Sequence, residues 1–482
     1  MSTRFPTGNL GDIIARAPQA DGAYIDTATG RSLTMPELDT AAARLAGGFA
    51  QQFSRGTRVA ILARNGTPLI LSYLALMRAG LVAVPVSHRL PADTIGYILE
   101  DSQSEAALID APFAELLPAS VQAIDFGGAE FAELSSGEPL DPVRAAPGEL
   151  CEILYTSGST GRPKGVPLDH AGQLWALNLF VEATGTDPQS TVIVAPAYHM
   201  NGLFFTTVAL ALGWRTFSMP AFDPRAFLEL VAAERLTLLS GIPTMFAMMA
   251  RQTDLVDELD LRSVEAVTIG SAPLTQALID RVRSIFPNAA VRNSYGTTES
   301  GPAMFGPHPD GLERPPLALG YPYPGVEWRL VDGTPSQGKL LTRTPAVMRG
   351  YLNLPEVNAE RLNDGWYDTG DIVRYDEDGF FYFVGRADDM FVCGGRTSIP
   401  ARSKSSSNAT LAYSKPRSSR PRTRSRGRSR SRLWCDRKMQ QSTSTSSSNS
   451  RCPMGRPTPT QGQLPSSMPS PWEELTRWIA RR

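Results

Sequence analysis

LYTSGSTGRPKGV, residues 154–166, sets Gly158, Gly161 and Gly165 among the hydroxyls of Thr156, Ser157, Ser159 and Thr160 and the cations Arg162 and Lys164. Glycines let a backbone approach a ligand closely and take up positive φ. Turn N–H groups and hydroxyls in such a loop grip phosphate oxygens, and the cations add charge. The apolar run just before it, CEILY, reads as a short buried strand, so the loop is expected to leave a strand end. It is not a Walker A loop, because no Gly-Lys-Ser/Thr follows four residues after a glycine. A flexible surface turn is the plain alternative for this stretch taken alone.

Upstream, residues 36–53 place Leu38, Ala42, Leu45, Ala46 and Phe49 at helical spacing. Residues 59–63, 67–79 and 81–86 read as strand, helix and strand, which predicts a right-handed parallel crossover. Further buried strands are expected at 106–109 and 192–195. Downstream, 227–234, 236–240, 243–250, 266–269 and 275–286 continue the alternation. The pattern predicts an α/β protein with multi-layer parallel or mixed sheets and ligands at the carboxyl ends of strands. After about Gly320 it changes to short strands and turns at 327–331, 338–342 and 380–384, which suggests a small β-rich subdomain. The expected division is an α/β region over 1–320, the β-rich part over 321–385, a hinge at 386–395 and a tail at 396–482.

Four more clusters carry chemistry. Residues 293–300, NSYGTTES, offer an aromatic, a glycine, hydroxyls and the Glu299 carboxylate, a set suited to a base, a phosphate and a magnesium ion. A plain turn explains them equally well in isolation. Residues 365–371, GWYDTGD, and 385–389, GRADD, supply a carboxylate for ribose hydroxyls and an arginine for phosphate. A β-turn with a structural ion pair is the alternative. Residues 196–202, PAYHMNG, hold His199, and a lone histidine is more often structural than catalytic. Residues 270–273, GSAP, follow a strand. Met245, Phe246, Met248 and Met249 suit either a pocket wall or a helix core.

In kind and in order these motifs resemble those of the adenylate-forming superfamily, which includes acyl-CoA synthetases, luciferases and adenylation domains. The resemblance implies that Thr156, Ser157, Gly158, Ser159, Thr160, Gly161 and Lys164 hold phosphates. It makes Tyr295 the residue stacked on adenine, with Gly296 and Thr297 beside it. Thr298 would contact the α-phosphate and Glu299 would hold Mg²⁺. Gly270, Ser271 and Ala272 would lie between adenine and the acyl pocket, and His199 at the pocket's mouth. Asp371 would take the ribose with Arg386 as its partner, and Asp388 would be the hinge. The implied activity is AMP-forming acid–CoA ligation with ATP, Mg²⁺ and CoA. Relatives that activate amino acids generally carry an aspartate near His199. Residues 198–202 have none, which favours an acid without an α-amino group.

The resemblance stops after Gly395. Of the 482 residues, those from Arg396 onward carry 19 Lys+Arg against 3 Asp+Glu, a balance of +16, which leaves −17 on the remainder. At face value this is a basic, Ser/Arg/Pro-rich tail too polar to fold, and it is expected to be disordered. A frame change explains it more specifically. A family-like segment, ENIYPGEVEKLLERHP, read one base late yields RTSIPARSKSSSNAT, the sequence of residues 396–410. Likewise PMGGTDKVDR, close to the family's motif for the catalytic lysine, yields PWEELTRWIA, residues 471–480. Loss of one base within the Gly394–Gly395 codons accounts for both, and turnover by this exact chain is then expected to be crippled. Two other readings stay open: a domain that loads a carrier protein, and an Arg/Ser-tailed RNA binder.

At this length two or more domains are expected. The four cysteines lack metal-ligand spacing and suggest a reducing compartment. No signal-peptide core or membrane-spanning run is seen, so a cytoplasmic enzyme with small-molecule partners and no nucleic-acid partner is expected. The sequence leaves open which acid is used, medium-chain, long-chain or aryl, and which oligomer forms.

Overall fold

The strand, helix and strand expected near residues 59–86 are built as Arg58–Leu62, Thr67–Arg78 and Val82–Pro85, with the two strands parallel. In this computed structural model the described residues are 5, 7–15, 17, 22–156, 161–185, 187, 189–389, 391–393 and 396–398. Of the tail expected from residue 396 onward, Arg396–Ser398 is instead a short strand paired antiparallel with Phe391–Cys393, and the rest lies outside the described residues. The helix Met35–Gln52 begins with a capping box. The Thr34 hydroxyl accepts from the Glu37 amide at 3.4 Å, and the Glu37 carboxylate accepts from the Thr34 amide at 2.8 Å. It buries Leu38, Ala42, Leu45, Ala46 and Phe49, the stripe read from the sequence. Its partner Thr67–Arg78 is apolar all round and buried along its whole length.

Six strands form the first sheet, in the order Gln122–Asp125, Ala106–Ile109, Arg58–Leu62, Val82–Pro85, Leu150–Thr156, Lys164–Asp169. All pairs are parallel except the last, an antiparallel hairpin in which Thr156 faces Lys164. The phosphate-loop stretch is the connection of this hairpin. The second sheet runs Ala290–Asn293, Ala266–Ile269, Leu238–Gly241, Ser190–Ile193, Arg215–Ser218, Ala23–Asp26, Ser32–Thr34. It is parallel apart from its last pair. The strand expected at 192–195 sits two residues earlier, because Pro196 has no N–H for the ladder and turns the chain out.

An antiparallel five-stranded sheet follows, of Glu327–Thr334, Gln337–Arg343 and Trp366–Tyr375, with both Leu362–Asn363 and Phe381–Arg386 pairing with Trp366–Tyr375 on its side away from Gln337–Arg343. Residues 366–371 are therefore strand rather than turn. The turn lies just before, where Asp364 and Gly365 take φ of 48° and 77°. No helix among the described residues is long and apolar enough to cross a membrane.

Candidate active site

Parallel strands present ligand-binding loops at their carboxyl ends, and the candidate residues gather there. Ile269 ends one strand and Gly270 leaves it. Asn293 ends the neighbouring strand and leads to Tyr295 through Ser294. A Cβ on Gly270 would come within 2.2 Å of Ser294 Oγ, so the two loops touch only because Gly270 has no side chain. Ser271 takes φ +63°, a backbone conformation that is costly for a non-glycine residue and typical of ligand sites.

At one end of the site the hairpin of the first sheet meets the 293–300 loop. Thr156 Oγ1 donates to Glu299 Oε1 at 3.4 Å, and Tyr351 O–H donates to the same oxygen at 3.0 Å. The Lys164 ammonium stands 5.2 Å from the centre of the Tyr351 ring. Tyr351 and Tyr367 share a further hydrogen bond at 3.2 Å. The Glu299 backbone carbonyl accepts from the Met348 amide at 2.8 Å, and Thr344 donates to the Ser300 carbonyl at 2.9 Å, which fixes the loop. Thr297 closes a tight bridge with Gly301 and shares a hydrogen bond with the Ser300 hydroxyl. Thr298 lies half-buried between Thr297 and Glu299. Gly161, with φ +95°, and Arg162, stacked 5.0 Å over Tyr97, flank the hairpin end. Ser157, Gly158, Ser159 and Thr160 lie outside the described residues.

At the other end the 293–300 loop meets the antiparallel sheet. Tyr295 O–H donates to Asp371 Oδ2 at 2.5 Å, and Arg386 Nη1 stands 2.9 Å from Asp371 Oδ1. Burial pushes the Asp371 carboxyl above its usual range, with Tyr295 and Arg386 offsetting part of that. Oδ1 is buried and accepts no aligned hydrogen bond despite the nearby guanidinium. Oδ1 is thus ion-paired with Arg386 yet short of a well-aligned hydrogen bond. Asp388 is half exposed, 3.8 Å from Arg361.

His199 precedes the helix Met200–Leu212 and sits edge-on to Tyr198 at 4.8 Å. The ring is open to solvent on one side yet flanked by protein, and that desolvation, with the Arg89 charge second, lowers its pKa. The loop before it is pinned by Asn65, which accepts from the Ala197 amide and donates to the Ala195 carbonyl. Asn201 donates to Ser271 at 3.2 Å and so links this helix to the Gly270 loop. Phe246 and Met249 are fully buried in the core and Met245 nearly so, whereas Met248 is exposed. The helix-core alternative describes the first three. Tyr351 and Asn65 went unread in the sequence, where each is a single residue outside the motif clusters, whereas Tyr367 and Asn201 lie within GWYDTGD and PAYHMNG but were given no role of their own.

A family model described as "AMP-binding enzyme" matches residues 13–352, more than half of the chain. The chain belongs to that family. This AMP-binding enzyme is 33% identical over 393 residues to a feruloyl-CoA synthase of Amycolatopsis sp., covering 77% of each chain. It is 30% identical over 400 residues to the fatty acid–[acyl-carrier-protein] ligase ScoC of Streptomyces coeruleorubidus, covering 77% of this chain and 76% of that one. Among solved structures it is similar to the N-terminal domain of FACL13 from Mycobacterium tuberculosis, with a TM-score of 0.70 and 25% identity. That likeness covers 78% of this chain and 99% of the other.

Proposed function

We propose that this AMP-binding enzyme activates a carboxylic acid with ATP and transfers the acyl group to CoA. The observation that carries the reading is the convergence on the 293–300 loop of Thr156 and Lys164 beside Glu299 and of Asp371 and Arg386 beside Tyr295. Similarity to CoA ligases supports the same class. The acid's carboxylate oxygen attacks the α-phosphorus of ATP and pyrophosphate leaves. The thiolate of CoA then attacks the acyl carbon and AMP leaves. Positioning and charge neutralisation are what this first step asks of a protein.

The residues present fit the nucleotide. Asp371 Oδ1, ion-paired with Arg386 but without a well-aligned hydrogen bond, suits a ribose hydroxyl, and Tyr295 beside it offers an aromatic face to the base. Glu299 is a single carboxylate, and no group of three or more acidic, histidine or cysteine side chains is gathered among the described residues. It would therefore hold Mg²⁺ together with phosphate oxygens rather than in a protein cage. Lys164, held against Tyr351, would face the phosphates.

Residues 396–482 we read as encoded one base out of frame, so the catalytic lysine falls between the codons of Thr476 and Arg477. The chain as written would then bind ATP but turn over poorly. Acid-dependent exchange of pyrophosphate into ATP by a frame-restored chain tests the reading. Exchange that ignores every added acid contradicts it. Carrier loading is the second reading, favoured by the likeness to ScoC. Transfer to a phosphopantetheinylated carrier in preference to CoA decides for it.

A further inference from the structure

The second sheet carries a polar row that the nucleotide site does not use. Ser240, Thr268 and Arg292 stand opposite one another on three neighbouring parallel strands. Residues in register share one face of a sheet. Leu239, Val267, Ile269 and Val291, on the other face, pack into an apolar core. The row therefore looks the opposite way. Leu238 and Ala266, which share its face, belong instead to the larger apolar core. It lies just inside the strand ends that carry the site, since Gly270 follows Thr268 by two residues and Tyr295 follows Arg292 by three. The helix that begins after His199 is tied to the same strand end through Asn201 and Ser271.

Polar groups on and beside this row lack counterparts. Ser240 Oγ is buried without a hydrogen-bond partner. Arg292 is enclosed by protein on most sides while keeping a path to solvent, and no carboxylate among the described residues pairs with it. Arg314 adds a second guanidinium. Its Nη1 donates to the Asn293 carbonyl at 3.3 Å, and a Cβ on Gly320 would come within 2.7 Å of its Nη2. It too has no carboxylate partner among the described residues. Burial brings the Arg314 guanidinium down to about 10, with Tyr323 opposing the fall and the Arg292 charge adding to it. Two enclosed like charges with no acid between them are costly unless a ligand supplies the counter-charge.

We propose that this polar face receives the far end of the acid, and that the substrate class is carboxylic acids bearing a second acidic oxygen, a distal carboxylate or a phenolic hydroxyl. Arg292 pairs with that oxygen, Ser240 and Thr268 line the approach, and Arg314 adds charge behind. The inference rests on the acid-activating reading and narrows it. The test is calorimetric titration of the full chain, saturated with AMP, with cinnamate, para-hydroxycinnamate and para-carboxycinnamate. The expected result is that one or both substituted acids bind about tenfold or more tightly than cinnamate, as a charge-assisted hydrogen bond implies. Which of them does so identifies the oxygen. Arg292→Met abolishes the preference and Arg292→Lys keeps part of it. If Arg292→Met melts early, Ser240→Ala and Arg314→Lys replace it, and each narrows the preference. Equal binding of all three acids, a preference unchanged by these variants, or no binding of any acid overturns the proposal. AMP binding in the same titrations shows separately whether the nucleotide half of the functional reading stands.

Discussion

Replacing Glu152 by Gln should remove a pH-dependent weakness from the strand that carries Thr156. Glu152 is 1% exposed, in the middle of Leu150–Thr156, and its Oε2 accepts from the Tyr73 hydroxyl at 3.0 Å. A small cavity beside it is lined by Gln173, whose amide nitrogen has no partner. Burial lifts the carboxyl from 4.5 to about 7, and the Tyr73 hydrogen bond only partly opposes this. The folded protein therefore binds this proton more tightly than the unfolded chain. The stabilising contribution is complete below the unfolded value of 4.5 and is lost as pH rises through about 7. Linkage converts the shift to about 3 kcal/mol. Glutamine keeps the shape and an acceptor for Tyr73 but cannot ionise. Urea unfolding of both proteins, followed from about pH 5 to about pH 9, should give near-equal midpoints at the acid end. At the alkaline end the variant should be more stable by about 3 kcal/mol. Parallel profiles, or a variant weaker at every pH, would refute the reasoning.

Glu299→Gln in a frame-restored chain should lower the adenylation rate by about 10²–10³-fold with little change in melting temperature, because it removes charge and no core volume. An unchanged pyrophosphate-exchange rate ends the role given to Glu299. Asp371→Ala should raise KM for ATP by about tenfold or more, as the ribose and Tyr295 lose a shared acceptor. A rise confined to KM for the acid would show that the residue has been misplaced. Tyr351→Phe removes one of the two hydrogen bonds that aim Glu299 and should cost about tenfold in the same assay. No loss there means that Thr156 alone suffices.

The α/β alternation was legible because its strands are short apolar runs between helices with clear periodicity. The edge strand Lys164–Asp169 was not, since KGVPLD holds a proline and two charges and reads as the end of a loop. Pro167 is tolerated there because that strand lies at the margin of its sheet. Tyr295, Glu299, Asp371 and Arg386 stood out because each sits in a dense cluster of glycine, hydroxyl and charge. What the clusters could not convey is that Tyr295 bonds Asp371, 76 positions away. Tyr351 carried no local signal, and its contact with Glu299 exists only once the 344–352 segment packs on the 293–300 loop. Glu152 hid inside CEILY, where its neighbours mark a buried strand and nothing marks the one carboxylate among them.

The most direct measurement compares the chain as written with one restored by a single base after the Gly394 codon, scoring AMP and acyl-CoA formed from ATP, CoA and a panel of fatty and aryl acids. The restored chain should release AMP and thioester in equal amounts with at least one acid. The chain as written should be slower by several orders of magnitude, and deleting residues 396–482 from it should change little. Equal turnover by the two chains, or acid-independent AMP release by the restored one, would contradict the account.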